Sequence, residues 1–314
     1  MRGRFAPSPT GDLHLGNIRT ATLAWLSAWS GTWSGTGEVI VRMEDLDPIT
    51  SSPDHAKRQL ADLAALGLHH AGPVVFQSER FPLYRDAISQ LRRQGLVYPC
   101  YCTRREIREA AAAPHSDQAP EGAYPGTCRE LSAERQAEFE REGRRSALRL
   151  RTEGERYVVH DRIAGTSTGV VDDVVLQRND GVPAYNLAVV VDDHLQDVTE
   201  VVRGDDLLSS TARQMHLQHL LGLRTPSYAH VPLVVGPDGV RLAKRHGAVT
   251  LADLRRQGWE PAAVLALVGE SLGVCRRDER CTVAELAERF SIDRVPRTPW
   301  HWQPGDVCHD EPDD

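Results

Sequence analysis

Apolar residues recur at helical spacing over residues 15–29, where Leu15, Ile18, Thr22, Leu23, Trp25 and Leu26 make one largely apolar face. The Gly- and Ser-rich run 31–37 then predicts a loop. Residues 39–43, Val-Ile-Val-Arg-Met, read as a strand buried on both faces. An amphipathic helix is predicted over 54–66 and ended by Gly67, a strand over 74–76, and a helix over 82–93 ended by Gly95. Strands alternating with helices imply a parallel, doubly wound α/β sheet. The rhythm then breaks. Short strands are expected at 147–151 and 157–161, and residues 174–178, Asn179-Asp180-Gly181 and 182–191 read as a hairpin. Strand, helix and strand return at 200–203, 209–221 and 230–235. Helices are expected at 251–257, 261–272 and 283–289. The last fifteen residues, with Trp300-His301-Trp302 and an acidic end, are expected to be partly disordered.

These patterns divide the chain into a first α/β half (1–94), an insertion (95–183), a second α/β half (184–249) and a short helical region with a tail (250–314). The 314 residues are enough for two or three units around a sizeable core. Hydrophobic content of 40% and charged content of 26% are ordinary for a globular protein. No apolar run approaches the ~20 residues of a membrane span, and the first residues lack the apolar core of a secretory signal. A cytoplasmic location is therefore expected. Six cysteines, with a Cys-x-Cys pair, suit a reduced compartment and a metal site better than a disulfide framework. The formal charge of −7 offers nucleic acid no global attraction, but leaves room for a local basic groove.

Candidate chemistry begins at residues 4–17, Arg-Phe-Ala-Pro-Ser-Pro-Thr-Gly-Asp-Leu-His-Leu-Gly-Asn. This stretch reads as strand, tight loop and helix start. Backbone N–H groups at a helix N-terminus suit phosphate, His14 adds a switchable donor, and Gly16 lets a flat ring approach the backbone. Taken alone, it is equally the strand–turn–helix opening of any α/β domain. Glu44, Asp45 and Asp47 follow the buried strand, where the ligand crevice of an open α/β sheet lies. Residues 240–248, Val-Arg-Leu-Ala-Lys-Arg-His-Gly-Ala, cluster three cations in one loop. Lys244 could act there as a mobile charge on a phosphate chain, with Arg241 and Arg245 bracketing it. A lone basic loop is more often a solvated turn.

The coincidence of these features is specific. Pro-Ser-Pro-Thr-Gly-Asp-Leu-His-Leu-Gly-Asn resembles the "HIGH" signature of class I aminoacyl-tRNA synthetases, and Arg241-Leu-Ala-Lys-Arg245 resembles their "KMSKS" loop. With Val-Arg-Met-Glu-Asp-Leu-Asp, Tyr-Asn-Leu-Ala-Val-Val-Val-Asp-Asp and Glu-Val-Val-Arg-Gly-Asp-Asp-Leu, the motifs are similar to the glutamyl branch, in the same order over residues 4–248. The 66 residues beyond Ala248 are too few for the helical anticodon-binding region of full glutamyl-tRNA synthetases. In this the chain resembles the glutamyl-queuosine tRNA(Asp) synthetase family. The resemblance implies a class I Rossmann-type catalytic domain split by a zinc-containing insertion. It also implies activation of L-glutamate by ATP with Mg²⁺ and without tRNA, then esterification of queuosine in the tRNA(Asp) anticodon stem-loop. A shortened glutamyl-tRNA synthetase charging a tRNA 3′ end, and a non-catalytic RNA-binding paralogue, are the alternatives.

Matched motif by motif, the resemblance places glutamate against Arg4, Phe5, Ala6, Pro7, Ser8, Glu44, Tyr185 and Arg203. Guanidinium groups would meet its carboxylates and Glu44 its ammonium. ATP would meet His14, Gly16, Asn17, Arg241 and Lys244, with His14 and Lys244 stabilising the reacting phosphates. Asn17 departs from the second His of the signature, and Ala243 from the Ser of the loop. Cys100, Cys102 and Cys128 with Tyr124 have the spacing of a structural zinc site, His115 being a rival fourth ligand. The same family resembles this arrangement, including the tyrosine. Cys275, Cys281 and Cys308 have no partner spacing and are expected to be free. RNA contact is expected at Arg104, Arg105, Arg108, Arg255 and Arg256, no membrane is expected as a partner, and the expected state is a monomer.

Overall fold

The structure is a computed structural model that describes residues 1–30, 37–103, 105–107, 123–242 and 249–303. It opens with β1 (Arg2–Phe5), α1 (Leu15–Ser30), β2 (Glu38–Met43), α2 (Pro53–Ala65), β3 (Val75–Phe76) and α3 (Phe81–Arg93). The three strands are parallel in the order β1-β2-β3, with Phe5 opposite Val41 and Met43 opposite Phe76. The first helix lies over this sheet. Leu15, Ile18, Trp25 and Leu26 are fully buried, each contributing roughly 1.5–3 kcal/mol by leaving water. At the start of α2, Ser52 Oγ accepts from the Asp54 N–H at 3.3 Å and Pro53 takes the first helical position.

The next elements are β4 (Val97–Cys100), α4 (Ala133–Arg141), β5 (Ala147–Leu150), β6 (Arg156–Asp161), β7 (Gly165–Val170) and β8 (Val175–Gln177). A separate antiparallel sheet has the order β4-β5-β8. The antiparallel β6 and β7, also within residues 95–183, instead join a sheet whose other strands come later in the chain.

Residues 182–191 correct the sequence reading. Gly181 takes the expected turn with φ of +87°, but the returning strand lasts only to Ala184. Tyr185 then opens α5 (Tyr185–Leu195). Both Leu187–Val191 and the adjoining Asp192 and Asp193 are buried. A helix buried on every side has the same continuous apolar run as a buried strand, so periodicity cannot separate them. Pro183 helps to end the ladder, because it has no N–H to donate.

The chain continues through β9 (Glu200–Gly204), a 3₁₀ turn (Asp205–Ser210), α6 (Thr211–Leu221), β10 (Ser227–Val231) and β11 (Val234–Val235). Strand order β7-β6-β10-β9 makes the second half of the α/β layer, and the Thr199 N–H donates to Arg2 O at 2.9 Å where β9 meets β1. Last come α7 (Leu251–Arg256), α8 (Pro261–Ser271), α9 (Val283–Arg289) and β12 (Trp300–His301). The three helices share one core with α1, and Arg19 fastens them by donating to Pro232 O at 2.5 Å and Ser271 Oγ at 3.1 Å. Of the last fifteen residues, expected to be partly disordered, the structure describes 300–303. Trp300 and His301 pair in parallel with Val234 and Val235, and Trp302 is buried, because an indole on this surface gains more from the core than from solvent. No helix among the described residues is long and apolar enough to cross a membrane.

Candidate active site

The loop between β1 and α1 is held from three sides. The Glu44 N–H donates to Pro7 O at 2.9 Å, the Ser52 N–H to Pro9 O at 2.9 Å, and Gln59 Nε2 to Gly11 O at 2.7 Å. The loop forms the floor of a cavity of about 590 Å³. Around it the structure brings together Arg4, Phe5, Ala6, Pro7, Ser8, His14, Gly16, Asn17, Glu44, Tyr185, Arg203 and Arg241. Lys244 lies outside the described residues.

His14 is the N-cap of α1. Its Nδ1 accepts from the N–H groups of Gly16 at 3.0 Å and Asn17 at 3.3 Å, while Asn17 Oδ1 accepts from the His14 N–H at 3.2 Å. Each residue thus caps the other's backbone, a reciprocal capping box. The Leu15 N–H donates to Val249 O at 2.8 Å. These N–H groups therefore have partners within the chain, and the backbone phosphate site expected from the sequence is not what the geometry offers. The imidazole takes that place. Because Nδ1 accepts, the proton of the neutral ring sits on Nε2, which remains available as a donor. Burial, with the Arg241 charge nearby, pushes the imidazolium down to about 4, so the ring stays neutral near pH 7.

Gly16 is required by this cap. A Cβ there would stand 2.9 Å from His14 Cε1 and 3.0 Å from Nδ1. Gly16→Ala is expected to push the ring off the cap and slow glutamate-dependent ATP–pyrophosphate exchange by about 10- to 10²-fold. Exchange at the parent rate in that variant would show that the ring's position is immaterial.

The other end of the cavity is built from buried charge. Arg42, inside β2, places Nη2 at 2.9 Å from Asp193 and 3.6 Å from Glu44, and Nη1 donates to Gln196 Oε1 at 2.8 Å. Asp192 accepts from Arg80 Nε at 2.7 Å, Gln77 Nε2 at 2.8 Å and Tyr84 OH at 2.7 Å. Arg4 Nη1 donates to Val202 O at 2.8 Å, and its Nε lies 3.7 Å from Asp193. Burial pushes the Glu44 carboxyl up to about 7, with Arg42 and Arg4 opposing the rise.

Arg203 is held differently. Its Nε donates to His230 Nε2 at 2.9 Å, Nη1 to Gln214 Oε1 at 2.7 Å and Nη2 to Thr211 Oγ1 at 2.9 Å. These are neutral acceptors, because His230 Nδ1, 2.6 Å from Asp161, carries the ring's proton and burial lowers the pKa of the ring. A buried guanidinium surrounded by neutral acceptors is a ready partner for a ligand carboxylate. Sequence reasoning missed Arg42, Asp192, Asp193, His230 and Asp161 as parts of this site. Arg42, Asp192 and Asp193 stand in the motifs quoted above without an assigned role, while Asp161 and His230 belong to none of them.

Cys100, Cys102 and Cys128 bring their sulfur atoms within 4.8 Å of one another. The Tyr124 hydroxyl lies 3.3 Å from Cys100 Sγ and 3.5 Å from Cys102 Sγ, and accepts from the Cys128 N–H at 2.9 Å. Hydrogen bonding with Cys128 pulls the Cys100 thiol down and pushes the Cys128 thiol up, so without a metal the cluster favours a single shared thiolate. Three soft donors and a phenol in one mostly buried cluster fit a four-coordinate metal. His115 lies outside the described residues. Cys275 and Cys281 form no disulfide, and Cys308 is not among the described residues. Of the cations expected to contact RNA, Arg255 and Arg256 lie exposed on α7, the latter paired with Asp253, and Arg105 is also exposed. Arg104 and Arg108 fall outside the described residues.

Residues 1–305 match the family described as tRNA synthetases class I (E and Q), catalytic domain. The chain is 57% identical over 298 residues to a glutamyl-Q tRNA(Asp) synthetase of Nocardia farcinica, covering 95% of this chain and 92% of that one. It is 46% identical over 308 residues to a protein of the same name from Symbiobacterium thermophilum, covering 95% and 94%. Among solved structures, a glutamate tRNA ligase from Elizabethkingia meningosepticum in complex with its amino acid superposes with a TM-score of 0.79 at 27% identity. That match spans 96% of this chain and 66% of the ligase. A fold, a capped His-x-Gly-Asn helix start and a buried charge cluster built like this accord with the sequence matches, and the chain belongs to the class I tRNA synthetases of the E and Q type, a family of ligases, in the branch whose members are named glutamyl-Q tRNA(Asp) synthetase.

Proposed function

We propose that the protein activates L-glutamate with ATP, without needing tRNA, and transfers the glutamyl group to queuosine in the anticodon of tRNA(Asp). One observation carries the first step: a single cavity of about 590 Å³ brings Arg4, Arg203 and Glu44 together with the capped His14 and Arg241. Arg203 and Arg4 receive the carboxylates of glutamate, Glu44 its ammonium, and Ser8 and Tyr185 add hydroxyl hydrogen bonds. Phe5, Ala6 and Pro7 line the amino-acid end. The glutamate α-carboxylate attacks the α-phosphorus of ATP and pyrophosphate leaves. His14 Nε2–H and the Lys244 ammonium stabilise the phosphates, with Gly16, Asn17 and Arg241 bordering the nucleotide. Mg²⁺ accompanies ATP and offsets part of its charge. A nucleoside hydroxyl then attacks the activated carbonyl, so no enzyme nucleophile is required. Asn17, as a capping residue, keeps His14 in place, which supports a working site despite the departure from the signature.

Glutamate-dependent ATP–pyrophosphate exchange without tRNA tests the first step, and mapping of the ester tests the second. An ester at the terminal adenosine would make the protein a shortened glutamyl-tRNA synthetase. Absence of exchange would sink the reading altogether. The Glu44 carboxyl at about 7 adds a pH signature. Below that pH it is neutral and loses its attraction for the glutamate ammonium, so KM for glutamate is expected to rise several-fold between pH 8 and 6. Glu44→Gln should remove this slope. The same shift makes this group's contribution to stability rise as pH falls from about 7 towards 4.5, because the folded chain keeps a proton that the unfolded chain releases.

Cys100, Cys102, Tyr124 and Cys128 are proposed to hold one structural Zn²⁺, joining β4 to the segment before α4. Metal analysis of the purified protein is expected to find about one zinc per chain. Protein without zinc that still folds its 97–177 region would overturn this assignment.

A further inference from the structure

Arg203 is held by a row of buried residues that crosses three strands. His230 on β10 stands opposite Arg203 on β9, and Asp161 closes β6 on the other side of β10. Donors surround Asp161. Its Oδ1 accepts from the N–H groups of Ile163 at 2.9 Å, Ala164 at 2.8 Å and His230 at 3.0 Å, and its Oδ2 lies 2.6 Å from His230 Nδ1. Burial works against its charge, but these hydrogen bonds hold the carboxyl below its ordinary range. An ionised carboxylate only accepts, so the ring proton sits on Nδ1, and Nε2 is left bare to accept from Arg203 Nε. The second arm works in the same way. Gln214 Oε1 accepts from Arg203 Nη1 at 2.7 Å, and the amide is turned that way because its Nε2 donates to Asn186 Oδ1 at 3.0 Å. Arg203 borders the cavity of the active site, whereas Asp161, Asn186, Gln214 and His230 do not.

We propose that Asp161 and Asn186 are positioning residues for glutamate binding. One fixes the tautomer of His230 and the other the amide of Gln214, and together they hold Arg203 among neutral acceptors, so that its charge is kept for a carboxylate of the substrate. This inference rests on the reading above that Arg203 receives glutamate. A guanidinium only donates, so each neighbour must turn an acceptor towards it. A carboxylate in either place would anchor Arg203 as well, but would also neutralise it, as Asp193 does beside Arg4 and Arg42. A neutral acceptor anchors the group without that loss. The charge of Asp161 reaches the guanidinium only across the imidazole of His230. Asp161 comes from residues 95–183, so that segment has a part in the amino-acid site as well as in the cysteine cluster.

Substitutions test this through KM for glutamate and KM for ATP in pyrophosphate exchange. Asp161→Asn keeps the shape of the side chain. Its oxygen must still face the backbone N–H groups, so its amide nitrogen faces His230 Nδ1, moves the ring proton to Nε2 and sets a donor against Arg203 Nε. Asn186→Leu removes the group that turns Gln214. Each is expected to raise KM for glutamate roughly tenfold, the cost of a buried hydrogen bond to a charged group, with KM for ATP within about twofold of the parent. Gln214→Glu sets a carboxylate against Arg203. KM for glutamate should then rise by a similar factor with no loss of melting temperature, whereas a cradle that only anchors Arg203 would leave KM unchanged. Nitrogen-15 spectra of histidine-labelled protein should show His230 protonated on Nδ1 in the parent and on Nε2 in Asp161→Asn, its resonance being the one missing from His230→Gln. Parent KM for glutamate in folded Asn186→Leu and Gln214→Glu proteins would overturn the inference, whatever Asp161→Asn does to folding, and so would equal rises in both KM values. If Arg203→Met raises KM for glutamate while those two variants do not, this inference alone falls. If Arg203→Met leaves it unchanged, Arg203 is not a glutamate ligand, and that assignment falls together with the inference.

Discussion

Lys244→Ala is expected to slow glutamate-dependent ATP–pyrophosphate exchange by about 10²–10³-fold, the usual cost of removing a group aimed at transition-state charge. The described residues on either side of the segment that holds Lys244 bond to residues at the edge of the cavity. On one side the Leu242 N–H donates to Val234 O at 2.9 Å, and on the other Val249 O accepts from the Leu15 N–H, beside the His14 cap. Thr250 bridges to His14, and its side chain forms a capping box with Asp253 that starts α7. The second cation of the motif, Arg241, is already paired with Asp206 at 2.6 Å. A point charge on a flexible stem suits phosphates that change geometry, so Lys244→Arg should recover only part of the rate. Lys57, the chain's other lysine, lies exposed on α2, and Lys57→Ala serves as a control with parent activity. Near-parent exchange in Lys244→Ala, with an unchanged melting temperature, would remove the basis for reading residues 240–248 as catalytic.

The second large effect is on stability. Arg42→Met is expected to cost about 3–5 kcal/mol, the range for removing one partner of a buried ion pair. The Arg42 side chain is wholly buried, and it faces Asp192, Asp193 and Glu44 together. Without it, these carboxylates keep only Arg4 and Arg80 as cations within 4 Å among the described residues. Methionine fills most of the space, so the loss is electrostatic rather than a cavity. Arg80→Met should cost less, because that side chain is 21% exposed and water can replace part of its role. Thermal unfolding of the two variants at pH 7.5 makes the comparison. If Arg42→Met melts with the parent, the cluster is not a stabilising unit. If Arg80→Met is the worse of the two, burial is not what sets the cost.

Much of the molecule was legible because its signals are local. Helix 15–29, strand 39–43 and the helices near 54–66 and 82–93 follow from periodicity and end residues a few positions apart. Motif order also placed the stretches 4–17 and 240–248 in one site, and Leu15 N–H to Val249 O shows the contact that joins their flanks. Elsewhere local signals failed for identifiable reasons. Three consecutive valines at 189–191 look like strand residues, yet burial on every side makes them equally good in a helix. Trp300 and His301 carry no strand signal of their own, yet Val234 and Val235 leave a strand edge to which they pair.

Sequence alone determined the alternation of strands and helices, the candidate ligands of glutamate and ATP, and the Cys-x-Cys and Tyr-x-x-x-Cys pairs, since each is written in residues near one another or in a recognisable order. Only the tertiary structure decided what those residues do to one another. Arg42 becomes the centre of the charge cluster because α5 carries Asp192 and Asp193 to it from about 150 residues away. Among the described residues Arg203 meets neutral acceptors rather than a carboxylate, and one of them is His230, on the neighbouring strand, kept neutral and oriented by Asp161. His14 leaves Nε2 as its available donor because the N–H groups of Gly16 and Asn17 engage its other nitrogen at the helix start. The physical reason is common to all three. A side chain's charge, tautomer and remaining donors depend on burial and on partners brought through space, and those are properties of the packed chain rather than of any short stretch of it.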